Sequence, residues 1–325
     1  MAKGKGGFIG QDGLNAPDPA TGVSAVKGNT QATISFTAPT DVGGSAITGY
    51  VVTSNDGIGA TGSGSPITVT GLTNNTAYTF KVFAINAFGY SAPSDASNSV
   101  TPDPAGQDAY TTAGTYSWVC PTGISSVSVV AVGAGAGANS AFSGGGGGAL
   151  AYANNISVTA GSSYSVVVGA PALYAGSSSF ATNAVAGGGQ ATSGGTVTTG
   201  TGGSGGDSTG GGGGGAGGYS GDGGDSQSNG AGGGGGGGAN PPFANNAGGG
   251  GGVGIFGEGA SGAGRSGSNQ ERGGGGSGGQ GGDNNGTGGN YGGGGGAIFS
   301  GSKGAVRIIY PGDTRSFPST NTEDQ

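Results

Sequence analysis

The sequence predicts an all-β protein of two successive β-sandwiches, the second enclosing polyglycine-II helices. Three observations carry that expectation. Short segments rich in β-branched and aromatic residues, bounded by turn residues, recur in both halves of the chain. Most of the 89 glycines lie between Gly133 and Gly301, in runs such as Gly144–Gly148, Gly210–Gly215, Gly232–Gly238, Gly248–Gly252, Gly273–Gly276 and Gly292–Gly296. Strand-like segments bracket that block on both sides, where a free linker would have none.

The glycine block sets the argument. Glycine has no Cβ and loses more backbone freedom on folding than any other residue. Such a block either stays disordered, as Gly/Ser-rich linkers do, or folds by a route that only glycine permits. That route is the polyproline-II conformation, with three residues per turn and about 3.1 Å rise per residue. Its N–H and C=O groups point outward without partners in their own segment, so rods free of side chains can pack closely and bond one another. Each Gly run is then a rod, and each insert between runs is a loop at one end.

Composition narrows the function. A length of 325 residues suggests about two domains. With 8% charged and 32% hydrophobic residues, an apolar core forms only where strands concentrate it. The net charge of −7 argues against a nucleic-acid partner, which needs a basic face. Histidine is absent, removing the commonest general base and metal ligand. The single cysteine, Cys120, excludes an intrachain disulfide framework, and beside Trp118-Val119 it reads as a small buried hydrophobe. Met1-Ala-Lys-Gly-Lys5 is basic but has no apolar run behind it, so synthesis in a cytoplasm without a secretory signal is expected. Nothing approaches the ~20 apolar residues of a membrane span.

In chain order, residues 1–17 are Gly-rich, with Phe8-Ile9 and Leu14 as their large apolar residues. They read either as a loose terminus or as a docking peptide; Phe8 and Ile9 are the candidates for attachment. Residues 18–102 read as one β-sandwich. Its candidate strands are 21–26, 31–36, 47–53, 67–70, 77–85 and 97–101, with Ile34/Phe36, Tyr50/Val52 and Tyr78/Phe80/Val82/Ala84 each on one face. Residues 103–108 read as a linker, 109–311 as the glycine-rich domain and 312–325 as a C-terminal tail. In the second domain the candidate strands are 116–119, 125–132, 149–152, 155–158, 163–168 and 303–310.

Two resemblances sharpen this. Gly71-Leu72-Thr-Asn-Asn-Thr-Ala-Tyr78, followed by Val82, Ala84, Asn86, Gly89 and Ser91-Ala-Pro93-Ser, resembles a fibronectin type III domain. The family's tyrosine corner maps onto Leu72 and Tyr78, and its second-strand tryptophan is replaced by Phe36. The pattern from Trp118 through Val132-Gly-Ala-Gly, then Gly runs, then Gly304-Ala-Val-Arg-Ile-Ile-Tyr-Pro311, resembles a glycine-rich domain of bacteriophage virion proteins. Similar blocks form polyglycine-II bundles in adhesins at the tail-fibre tips of T-even-type phages. The first fifteen or so residues, with the module behind them, also resemble virion structural proteins of marine phages. The implied role is a virion protein, tail-fibre or tail-associated, that adheres to the host surface; the alternative is a capsid decoration or fibre of purely structural role. The implied partners are other virion proteins and a host receptor, glycan or membrane protein, with a homo-oligomer such as a trimer compatible with either role.

Other motifs fall away. Val129-Val-Ala-Val-Gly133-Ala-Gly135-Ala-Gly137 lacks the helix and the acidic residue that a dinucleotide-binding loop needs. Asp207, Asp222, Asp225 and Asp283 lack the apolar residue of a calcium β-roll repeat and read as solvated loop carboxylates. With 13 prolines, mostly outside the block, collagen is excluded. No convergent polar cluster supports catalysis, and no cofactor or metal is expected. The inserts carry the aromatics: Tyr219, Phe243, Phe256 and Tyr291 are the candidates for receptor contact, the alternative being that such residues cap the bundle against the sandwich.

Overall fold

The computed structural model describes residues 15–138, 144–208, 213–226, 250–257, 288–295, 300–313 and 315–318. Among these there is no helix, and the chain forms two units, divided after Ala105.

The first unit holds β1 (Thr21–Gly28), β2 (Gln31–Thr37), β3 (Gly49–Ser54), β4 (Gly59–Gly62), β5 (Ile67–Thr70), β6 (Phe80–Asn86) and β7 (Gly89–Tyr90). They form two sheets, β1-β2-β5 and β4-β3-β6-β7, with antiparallel neighbours. The alternation in the sequence decides which faces meet: Ala32, Ile34 and Phe36 from β2 pack with Tyr50, Val52, Phe80, Val82 and Ala84 from the other sheet. Tyr78 is buried, and its hydroxyl accepts the Thr73 N–H at 3.0 Å, fixing the turn that follows Leu72. The expected strand at 97–101 contributes only a bridge from Val100 to Tyr78. Ahead of it, Ser91, Ser94 and Ser97 run along β6. Their N–H groups donate to the carbonyls of Ala84, Val82 and Phe80, and their hydroxyls accept from the N–H groups of the same residues.

The second unit holds β8 (Gly106–Tyr110), β9 (Gly114–Val119), β10 (Ser126–Val132), β11 (Leu150–Ser157), β12 (Ser163–Val168), β13 (Ser178–Phe180), β14 (Ala184–Ala186), β15 (Val197–Thr199) and β16 (Ala305–Tyr310). The sheets are β11-β10-β16-β8 and β15-β14-β13-β12-β9. The last strand, β16, pairs antiparallel with β10, so strands from both sides of the glycine block lie together. All seven residues of β10 are buried. Val127, Val129 and Ala131 pack with Trp118 and Phe180, whereas Val130 and Val132 pack with Tyr219, Ile255 and Phe317. Its continuous apolar run is thus the signature of a strand covered on both faces.

Three expectations are corrected. Gly106–Asp108 are not linker but the start of β8, which pairs with β16. Residues 149–152 and 155–158 form one strand, β11, because a bulge opposite Ser128 absorbs Asn154-Asn155; the Ser128 hydroxyl accepts the Asn155 N–H at 3.2 Å, and Asn155 has φ +50°. Beyond Pro311 the chain is not a bare tail: Phe317 is buried, and its N–H donates to the Asn154 side-chain oxygen at 2.8 Å.

Between these strands run segments that are not strands, one of them leading into β11 at Leu150, and their hydrogen bonds repeat every three residues. Gly145, Gly146 and Gly147 donate to the carbonyls of Gly295, Gln190 and Gly206; Gly148, Ala149 and Leu150 donate to Gly292, Gly187 and Gly203. Each donation returns to the same neighbour three residues later, whereas a β-strand repeats every two. The carbonyls face three further segments. Those of Gly145 and Gly148 accept from Gly214 and Gly217, those of Gly146 and Ala149 from Ala136 and Gly133, and that of Gly147 from Gly195. Segment 145–150 is therefore ringed by six others at N···O distances of 2.7–3.0 Å.

Glycine is required here by closeness. A Cβ on Gly145, Gly146, Gly147 or Gly148 would collide with the backbone carbonyl of Ala136, Ser193, Gly215 or Gly133 respectively.

Candidate functional site

The array has two ends. At one it runs into the sheets, since Gly133 follows β10 and Ala149 precedes β11. At the other the segments turn or leave the described residues: Ala138 and Gly144, Ser208 and Gly213, and Gly295 and Ser300 are such exit and return points.

The sheet end holds most of the candidates that are described. Tyr219 is only 2% exposed, a correction to the expectation of an exposed insert. Its ring centroid lies 5.8 Å from that of Tyr152 and 5.9 Å from that of Phe317, and its hydroxyl accepts the Gly257 N–H at 3.2 Å. Tyr291 is half-buried against the same cluster. Phe256 is 43% exposed, with the Arg307 guanidinium carbon 4.8 Å from its ring centroid. Arg307, on β16, is fully buried: it donates to the Gln107 side-chain oxygen and, at 3.3 Å, to the Ile255 carbonyl. Tyr219 and Tyr291 thus serve as packing at this end, while Phe256 keeps an exposed face. Phe243, Phe8 and Ile9 lie outside the described residues.

The far end presents two side chains that the sequence reading passed over. Leu173 is 40% exposed and Tyr174 68% exposed, side by side in the turn Pro171-Ala-Leu-Tyr-Ala175. The turn is pinned on both sides, because the Gly137 N–H donates to Ala172 at 2.8 Å and the Ala175 N–H donates to Gly189 at 2.9 Å. Beside it lies a cleft of about 230 Å³, lined by Gly137-Ala138, the 171–173 stretch and Ser300-Gly301. The signal in the sequence was a pair of large apolar residues inside an otherwise Pro/Ala/Gly turn.

The acidic residues have a structural task. Asp222 accepts the Ser204 N–H at 2.7 Å, Asp225 the Asp207 N–H at 2.7 Å, and Asp207 the Gly194 N–H at 2.8 Å. These carboxylates are exposed to solvent, as their reading as solvated groups expects, and in addition take the place of backbone carbonyls at the three-residue spacing. Asp283 lies outside the described residues. Among the described residues no cluster of His, Cys, Asp and Glu could hold a metal ion. Burial pushes the Cys120 thiol above its usual range, away from the thiolate that reactivity needs. Tyr310 is also pushed up, first by burial and then by the Asp108 carboxylate.

Residues 16–100 match the fibronectin type III domain family, and residues 111–311 match a glycine-rich domain family. No curated protein matches the chain. Among solved structures it is similar to titin domains A168–A170, at 31% identity and TM-score 0.26 over 26% of this chain and 32% of that one. The twitchin kinase region of C. elegans gives 24% identity and TM-score 0.25 over 27% of this chain and 17% of that one. The FN1–FN3 domains of chicken CNTN1 give 21% identity and TM-score 0.25 over 36% of this chain and 48% of that one. The chain spans less than half the length of each of these structures.

Proposed function

The chain belongs to the glycine-rich domain family and carries a fibronectin type III domain ahead of that region, and from that premise we propose that it is a bacteriophage virion protein that adheres to the host surface as part of a tail fibre. In this reading the glycine segments are polyglycine-II helices packed as a bundle. The six-neighbour, three-residue hydrogen bonding of segment 145–150 is the observation that carries it, since three residues per turn is the polyproline-II period.

Such a bundle suits adhesion. Its hydrogen bonds are made by backbone, so they do not depend on which side chains occupy the loops. Loops on a rigid scaffold can change while the scaffold stays. Leu173 and Tyr174, held out at the end away from the sheets, are then the contacts for a host receptor, while Tyr219 belongs to the frame. The protein binds rather than catalyses. Its other partners are virion proteins, met through residues 1–17 with Phe8 and Ile9, and its location is the particle surface after synthesis in the host cytoplasm.

Gold-labelled antibody against the chain, applied to intact particles that carry it, tests this. Label at the tail fibres is expected. Label spread over the capsid would make the protein a decoration, and adhesion through Tyr174 would then fall.

A further inference from the structure

We propose that β9 pairs edge to edge with β9 of a second copy of this chain, joining two second units about a two-fold axis at Ser117. The proposal concerns the second unit alone and does not rest on the adhesion reading.

An open sheet edge presents unpaired N–H and C=O groups, and native proteins blunt such edges by shortening, charging or covering them. Three of the four sheet edges in the second unit are treated in this way. The edge strand β15 has three residues. The edge of β11 is covered: Tyr152 exchanges hydrogen bonds with Thr201 at 2.7 and 2.8 Å, and the Asn154 side chain bonds the Phe317 backbone. The strand β8 carries Asp108, and its Gly106 carbonyl accepts from the Arg315 guanidinium at 2.7 Å. None of these devices protects β9. It is six residues long, Gly-Thr-Tyr-Ser-Trp-Val, without charge or proline, and β12 is its one sheet neighbour among the described residues.

The register fixes which groups are left over. Just past the end of β9 the Cys120 N–H donates to the Ser162 carbonyl, and on the far side of β12 the Ala181 N–H donates to the Ser165 carbonyl. Strand alternation therefore turns the N–H and C=O groups of Gly114, Tyr116 and Trp118 toward β12, and those of Thr115, Ser117 and Val119 away from the sheet. Thr115 and Ser117 are exposed, and Val119 is 57% exposed.

This edge fits a second copy of itself. Antiparallel pairing centred on Ser117 sets Thr115 opposite Val119 of the second copy, Ser117 opposite Ser117, and Val119 opposite Thr115. Each of these three pairs exchanges two hydrogen bonds, so every outward group of both strands finds a partner. A register shifted by two residues keeps only two of the three pairs. With no charge on the strand, the pairing sets no like charges opposite each other, and a two-fold contact of this kind closes at two copies.

Sedimentation velocity of the full chain over about 1–100 μM tests this, with reversible dimerisation in the micromolar range as the expected result. Ser117→Pro removes the N–H at the axis from each copy and no bond to β12. Two hydrogen bonds of the dimer are lost, and the dissociation constant should rise about tenfold or more. Ser117→Lys and Ser117→Glu each set like charges opposite one another at the axis. Either variant alone should stay monomeric over the same range, and an equimolar mixture of the two should recover the dimer. Circular dichroism of all three variants should match the parent chain, because residue 117 turns its side chain to water and its backbone groups away from β12. A parent chain that remains monomeric at about 100 μM, or that forms trimers, overturns the proposal. So does dimerisation of Ser117→Lys alone with the parent's dissociation constant, whatever the fate of Ser117→Pro. If the two charged variants stay monomeric when mixed, Ser117 does not lie at the axis and the proposed pairing is overturned.

Discussion

The Gly147 amide donates to the Gly206 carbonyl at 2.9 Å, and the Gly147 carbonyl accepts from Gly195 at 2.8 Å. Both groups of one glycine are spent on segments distant in sequence, and a Cβ would collide with a third, at the Gly215 carbonyl. The glycine block is held by its backbone, and the following outcomes are expected.

Gly147→Ala should destabilise the second unit by about 3 kcal/mol or more, because overpacking costs 1–3 kcal/mol even where side chains can give and here the obstacle is the Gly215 backbone. Gly64→Ala, where a Cβ would meet nothing within 4 Å, should be near neutral. Thermal melts of the two variants check this.

Tyr219→Ala should lower stability by about 3 kcal/mol or more, the usual cost of deleting a buried aromatic, since Tyr152 and Phe317 lose their neighbour. Tyr174→Ala should stay within about 0.5 kcal/mol of the parent, as surface changes do, while lowering adsorption to host cells. Calorimetry beside an adsorption assay separates the two.

The contrast between these tyrosines marks how far the sequence could be read. The first sandwich was legible because Ile34/Phe36 and Tyr50/Val52 alternate with a strand's period, which ties pattern to burial. In the second unit, β10, β12 and β16 were legible as apolar runs. Asn154-Asn155 resembled a turn and hid the continuity of β11. The strands β13, β14 and β15 have three residues each and too little pattern to register. For the glycine segments no side-chain period exists, so nothing in the sequence said that Tyr219 folds back onto β10 while Tyr174 stays out. Nor did it show that Asp222 and Asp225, three apart, would stand in for carbonyls.

Arg307→Ala should cost about 3 kcal/mol or more, because it leaves the Ile255 carbonyl and the Gln107 side chain without a buried donor and opens a cavity beside Phe256 and Phe317. Denaturant unfolding followed by the fluorescence of Trp118, which belongs to the same unit, reports it.

Stability of the second unit should fall in alkali. Cys120 and Tyr310 ionise above their ordinary values of 9.0 and 10.0 in the folded chain. The folded state therefore holds protons that the unfolded state has lost, and stability falls as pH rises. Their contribution is fully present below about pH 9 and declines from there upward. Melting curves between pH 7 and about 11 check the sign, and Tyr310→Phe should flatten the decline.

Amide hydrogen exchange across Gly145–Leu150 in the full chain tests the hydrogen-bonded array most directly. These six amides are expected to exchange as slowly as those of β10, because each donates to a backbone carbonyl within the array. Exchange at random-coil rates, with β10 still protected, would mean that the sheets fold without the array and would contradict the account.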